Sequence, residues 1–111
     1  MDMDIFIRSE PTNAGRTRKA LETFGYDMTN VSVQDLLAKK VLIRQYAVET
    51  DIHPFAKGVT FDELWRKKVR VKFGDTFVYV ASLDDLIAMK QAAGRPKDVE
   101  DLKYLKKLKM P

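Results

Sequence analysis

At 111 residues and 45% hydrophobic content, the chain is long enough to bury one core but not two, which excludes a disordered protein, and it holds no apolar run of bilayer length, which excludes a membrane-spanning one. The absence of Cys and the single His exclude disulfides, thiolate metal sites and His-rich metal sites, so a metal here rests on carboxylates and is a hard ion, Mg²⁺ or Mn²⁺. A net charge of +4 leans toward anionic partners, but much of the excess lies at Lys103, Lys106, Lys107 and Lys109, where a solvated helix face accounts for it.

The opening Met1 to Asp4 is acidic and lacks the basic start of a secretory signal, so the expected location is the cytoplasm. From Asp2 to Ile7 the residues alternate with period two, which predicts a strand showing Asp2, Asp4 and Phe6 on one face and Met3, Ile5 and Ile7 on the other. Two carboxylates side by side repel, so the pair is either a frayed, solvated terminus or a site for a cation. Ser9, Pro11 and Thr12 signal the start of a helix whose face carries Ala14, Thr17, Leu21 and Phe24, and Gly25 ends it. Asp27 to Asn30 reads as a loop. Ser32 and Asp35, in capping-box spacing, open a short helix with Val33, Leu36 and Leu37.

Val41 to His53 has strand chemistry throughout, with Glu49, Asp51 and His53 sharing one face. No Gly, Asn or Pro breaks this run, so it is either a hairpin without the usual turn residues or one long bent strand. His53, standing before Pro54, reads as a hydrogen-bonded residue at a strand end. Thr60 with Glu63 makes a second capping box, for a helix burying Phe61, Leu64 and Trp65. Val69 to Ala81 is a hairpin closed by Gly74-Asp75, and that turn sets Val71 opposite Val78 and Val69 opposite Val80, with Arg70 opposite Tyr79 and Lys72 opposite Phe77 on the other face.

Ser82 with Asp85 opens a helix that Gly94 stops, and Pro96 begins another in which Val99, Leu102, Leu105 and Leu108 recur every third residue. Between the two helices lies a corner crowded with charge: Lys90, Arg95, Lys97, Asp98 and Asp101. On these residues alone it reads as a helix hairpin with a solvated turn. The chain as a whole is expected to be a single α+β domain over residues 1–111, one small sheet with packed helices, ending in a helix pair.

The order Asp2-x-Asp4, then Asp51 on a later strand, then Gly58-Val59-Thr60-Phe61-Asp62-Glu63-Leu64-Trp65, then Lys90 to Leu102, resembles the minimal nucleotidyltransferases, above all the bacterial proteins grouped with the AbiEii abortive-infection toxins of toxin-antitoxin systems. The likeness covers almost the whole chain and is most specific over Lys90 to Leu102. It implies a nucleotidyltransferase-like fold that moves a nucleotide from a nucleoside triphosphate to a hydroxyl on a protein, an RNA or a small molecule, with divalent metal. Asp2, Asp4 and Asp51 match the metal-holding carboxylates, and Lys90, Arg95 and Lys97 would neutralise phosphate charge. Asp98 or Asp101 matches the position that assists proton transfer, against the reading of a residue at a helix N-terminus in a salt bridge with Lys97 or Arg95.

One departure matters. The family carries, ahead of its Asp-x-Asp strand, a Gly-Ser or Gly-Gly turn whose backbone N–H groups hold phosphate, and this chain starts after it. A shortened start, a degenerate domain or a piece completed by another chain would each explain that. The expectation is therefore weak or no activity in the chain as it stands, with self-association into a homodimer through the uncovered first strand. The alternative is a noncatalytic binding module on the same fold, holding an anionic or protein partner at the basic corner.

Overall fold

The computed structural model describes residues 2–45 and 48–109, and of Asp2 the backbone alone. The order is β1 (Asp2–Phe6), α1 (Pro11–Phe24), α2 (Val33–Ala38), β2 (Val41–Gln45), β3 (Val48–His53), α3 (Phe61–Lys67), β4 (Val69–Phe73), β5 (Thr76–Val80), α4 (Leu83–Ala93) and α5 (Pro96–Lys109). The chain is thus α+β, with five helices among the described residues, and no described helix is long and apolar enough to cross a membrane. It divides into two compact units, Met1–Phe55 and Ala56–Pro111.

In the first unit β3 is the central strand of a three-stranded sheet, with β1 parallel on one side and β2 antiparallel on the other. The unbroken run from Val41 to His53 is therefore a hairpin; Tyr46 and Ala47, where its turn would fall, lie outside the described residues. Period two sorts the side chains. Val41, Ile43, Thr50 and Ile52 are buried, and the register sets Val41 and Ile5 on either side of Ile52. These residues pack with Ile7, Ala14, Leu21, Tyr26, Met28 and Leu36 into one core. The one buried polar side chain of that sheet face, Thr50, shares a hydrogen bond of 3.1 Å with the Tyr26 hydroxyl, so its burial leaves no unmet group.

The helices of this unit are held by their ends. Pro11 stands in the first turn of α1, and Gly25 closes the helix at φ 118°, donating to the carbonyls of Leu21 and Glu22. Arg18 on α1 donates to the carbonyl oxygens of Val31 (2.7 Å) and Met28 (2.8 Å), which ties down the loop that follows. Ser32 and Asp35 form both halves of a capping box at α2. Phe24, expected on the buried face of α1, is exposed: it is the last helical residue, beside the left-handed Gly25, and tilts against Tyr26 instead.

In the second unit the Gly74-Asp75 turn closes β4 on β5 in the expected register, Val69↔Val80, Arg70↔Tyr79, Val71↔Val78 and Lys72↔Phe77. The described strands form two sheets where one was expected, because β4 and β5 use their ladders on each other. Thr60 and Ser82 cap α3 and α4, and Gly94 ends α4 in the left-handed region. Trp65 is not buried with Leu64 but stands partly exposed, stacked on Phe61 and edge-on to Tyr79. On α5 only Leu102 and Leu105 of the apolar series are half-buried, while Val99 and Leu108 are exposed. Each step of three residues falls about 60° short of a full turn, so a strict period of three walks around the helix rather than marking one face.

Gly58 packs where a side chain cannot: its φ is +88°, and a Cβ there would stand 2.8 Å from Ala92 Cβ and 2.9 Å from the Ala88 carbonyl oxygen. Gly58→Ala should lower stability by roughly 2–4 kcal/mol, from left-handed strain and overpacking together. Gly74→Ala, with φ +62° but open space around it, should cost only about 1–2 kcal/mol. Urea denaturation of the two variants checks the difference.

Candidate functional site

Parallel pairing of β1 on β3 sets Asp4 directly opposite Asp51 and Phe6 opposite His53. Because Thr50 and Ile52 face the core, Asp51 and His53 take the opposite face of the strand, and Asp4, on the matching rung of β1, joins them. His53 Nε2 and Asp4 Oδ1 are 2.9 Å apart. Asp4, Asp51 and His53 each offer a ligand atom within 4.8 Å of the others. Two ligands on opposite sides of a single divalent ion stand about 4–5 Å apart, so the spacing suits one ion.

Asp51 supplies the strongest indication. Its Oδ1 is buried and has no hydrogen-bond partner among the described residues, a costly arrangement for a carboxylate that a cation would relieve. The donor set, two carboxylates and an imidazole, fits a divalent metal such as Mn²⁺ and departs from an all-carboxylate site. The backbone of Asp2 pairs with Glu49, but its side chain is outside the described part of the chain. His53 was legible in the sequence as a neighbour of Asp51 by strand parity, yet its approach to Asp4 depends on which strand lies beside β3, and no local pattern gives that.

The charged corner between α4 and α5 lies in the second unit and is paired within itself. Asp98 is fully buried. It accepts from Arg95 Nε at 2.7 Å, from Arg95 Nη2 at 3.2 Å and from the Arg95 backbone N–H at 3.1 Å. Lys90 Nζ reaches Asp101 Oδ2 at 3.0 Å and Asp98 Oδ1 at 3.4 Å. The bonds from Arg95, then the nearby charges, outweigh burial and hold the Asp98 carboxyl down to about 2, while the hydrogen bond to Asp101 raises Lys90 above its ordinary value. Asp101 is half-buried and Lys97 is exposed, with no carboxylate partner among the described residues. Further along α4, Asp85 is buried; its Oδ1 meets Lys67 at 2.9 Å, while its Oδ2, like Asp51 Oδ1, is buried with no hydrogen-bond partner among the described residues. The lysine-rich end of α5 is partly neutralised as well, through Lys103 with Glu100 and Lys109 with Asp84.

Neither a protein-family model, nor a curated protein, nor a solved structure matches the chain.

The corner has a pH signature. A carboxyl depressed in the folded state contributes stability that is complete above its unfolded value of 3.8 and is lost as pH falls through about 2. Asp98→Asn should therefore lower the melting temperature at neutral pH and flatten its dependence on pH between about 4 and 2. Thermal melts followed by circular dichroism across that range would show it, and parent and variant curves that stay parallel would refute it.

Proposed function

We propose that the β1–β3 face binds a divalent cation through Asp4 and Asp51, with His53 as a third ligand, and that the chain uses this site for nucleotidyl transfer from a nucleoside triphosphate to a hydroxyl. The observation that carries the cation site is the buried Asp51 Oδ1, without a hydrogen-bond partner among the described residues and on a residue in register with Asp4. The step from cation to nucleotidyl transfer rests on the resemblance of the sequence to the AbiEii-like nucleotidyltransferases. A metal bound there would supply charge neutralisation at the phosphates of the substrate.

The chain's own residues have separable tasks. Asp4 and Asp51 would hold the cation, and His53, whose Nε2 stands 2.9 Å from Asp4 Oδ1, would give up that hydrogen bond to serve as the third ligand. Lys90, Arg95 and Lys97 are the phosphate-neutralising candidates. Of the two carboxylates considered for proton transfer, Asp98 is too weak a base, since a carboxyl held down to about 2 scarcely accepts a proton near neutrality. That leaves Asp101, half-buried and bonded to Lys90, as the candidate the resemblance offers.

A noncatalytic binding module is the second reading. It is favoured by the internal pairing of the corner, where Lys90 and Arg95 already hold carboxylates and Lys97 stands exposed to meet a partner.

Mn²⁺ binding, followed by electron paramagnetic resonance, should weaken roughly tenfold or more in Asp4→Asn and in Asp51→Asn, a loss at least as large as removing a group that only hydrogen-bonds to a metal ligand. His53→Ala should weaken Mn²⁺ binding more than Mg²⁺ binding, because imidazole suits the transition metal. Transfer of label from a radiolabelled nucleoside triphosphate should be weak in the parent chain and absent from both carboxylate variants. Unchanged Mn²⁺ affinity in the two carboxylate variants would remove the cation site; transfer that survives in them would remove its catalytic role.

A further inference from the structure

A second surface, within the second unit, owes nothing to the cation reading. The hairpin register places Arg70 opposite Tyr79 and Lys72 opposite Phe77 on one face of β4 and β5. From α3, Trp65 meets Tyr79 edge-on, with ring centroids 5.2 Å apart. Lys68 Nζ lies 4.0 Å from the Trp65 ring and 5.2 Å from that of Tyr79, and the Arg70 guanidinium lies 3.9 Å over Phe77. Three rings and three cations are thereby gathered on one strip.

Two features of the strip call for a partner. Trp65, Phe77 and Tyr79 are 43%, 53% and 56% exposed, although large rings ordinarily bury most of their surface. Lys68, Arg70 and Lys72 have no carboxylate partner among the described residues, whereas Lys67, Lys90, Arg95 and Lys109 of the same unit each have one. The cations ask for a polyanion, and the rings ask for flat faces to stack upon. An acidic peptide would satisfy the first demand and leave the rings in water. Duplex nucleic acid would do the same, since its bases are already stacked inside. Anionic lipid offers charge and aliphatic chains but no planar groups.

From this complementarity we infer that the strip binds single-stranded nucleic acid, its bases stacking on Trp65, Phe77 and Tyr79 and its phosphates lying against Lys68, Arg70 and Lys72. Stacking on rings tolerates any base, so the site recognises an unpaired strand and not a sequence. Arg70, whose guanidinium stands 3.9 Å over the Phe77 ring, offers a planar group on which a base can lie.

Trp65 is the only tryptophan in the chain, so its fluorescence reports on this strip alone. The full chain is titrated with oligo(U) and oligo(dT) of roughly twelve nucleotides, with the duplex of the same length, with a poly-Glu peptide and with phosphatidylserine vesicles. Saturable quenching by the single strands, weaker by at least tenfold for the duplex, is the expected result. The logarithm of the affinity should fall against the logarithm of salt with a slope of about −2, as for three phosphate contacts on a single strand. Lys72→Gln should reduce that slope by about 0.7. Phe77→Ala and Tyr79→Ala should each weaken binding about tenfold, the scale of one lost base stack. Lys72 is exposed, and a Gln there leaves its backbone pairing with Phe77 intact, so its variant keeps the test valid even where a ring variant unfolds. Absence of quenching by both oligonucleotides, equal binding of the duplex, an unchanged salt slope in Lys72→Gln, or tighter binding of the peptide or the vesicles would each overturn the inference. A preference for oligo(U) over oligo(dT) would mark RNA as the natural strand.

Discussion

The position of Ile52 governs the first unit. This side chain is fully buried, and it is flanked in register by Val41 on one neighbouring strand and Ile5 on the other. Once it faces the core, period two obliges Asp51 and His53 to face the other way, and pairing obliges Asp4 to stand beside Asp51. A slip of β3 by one residue would carry Asp51 and His53 into the core and Ile52 out of it. The hydrophobic demand of one isoleucine therefore sets Asp51 beside Asp4 against the repulsion of like charges.

Much of this was readable from local patterns. The strand parity of Asp2 to Ile7 and of Glu49 to His53, the caps at Ser32, Thr60 and Ser82, the stops at Gly25 and Gly94 and the register of the Gly74-Asp75 hairpin all follow from interactions between residues a few positions apart. What local patterns missed was set by distant partners. Phe24 and Trp65 looked like core residues by type, but each sits near an element end where a neighbouring ring, not the core, receives it. Val99 and Leu108 were assigned to an apolar face by a spacing that does not match the helical repeat. In the candidate site, the parity of Asp4 and of Asp51 is legible in each segment by itself, whereas their adjacency, which the structure bears out, came only with the resemblance, because a parallel partner far along the chain leaves no mark in either segment.

Buried carboxylates are met in two ways. At the corner of α4 and α5, opposite charges satisfy one another, and the buried Asp98 is tolerable because Arg95 and Lys90 donate to both of its oxygens. A buried carboxylate so held is a structural tie between the two helices. At Asp51 the reverse holds: one oxygen is buried and nothing in the described chain donates to it. The same side-chain chemistry thus serves as mortar in one place and as an open valence in the other, and only the count of donors distinguishes them.

The pairing of β1 with β3 also bears on the order in which the molecule assembles. Residue 2 meets residue 49, whereas the β4–β5 hairpin and the α4–α5 pair join segments adjacent in the chain. Closing so long a loop is entropically slower than forming a hairpin or two successive helices, so β1 docks after the β2–β3 hairpin has formed. Asp4 then arrives last at a place already occupied by Asp51 and His53. The cluster exists only in chains that have completed this long-range step, which makes it the final part of the first unit to be built and, at the edge of its sheet, the first to come apart.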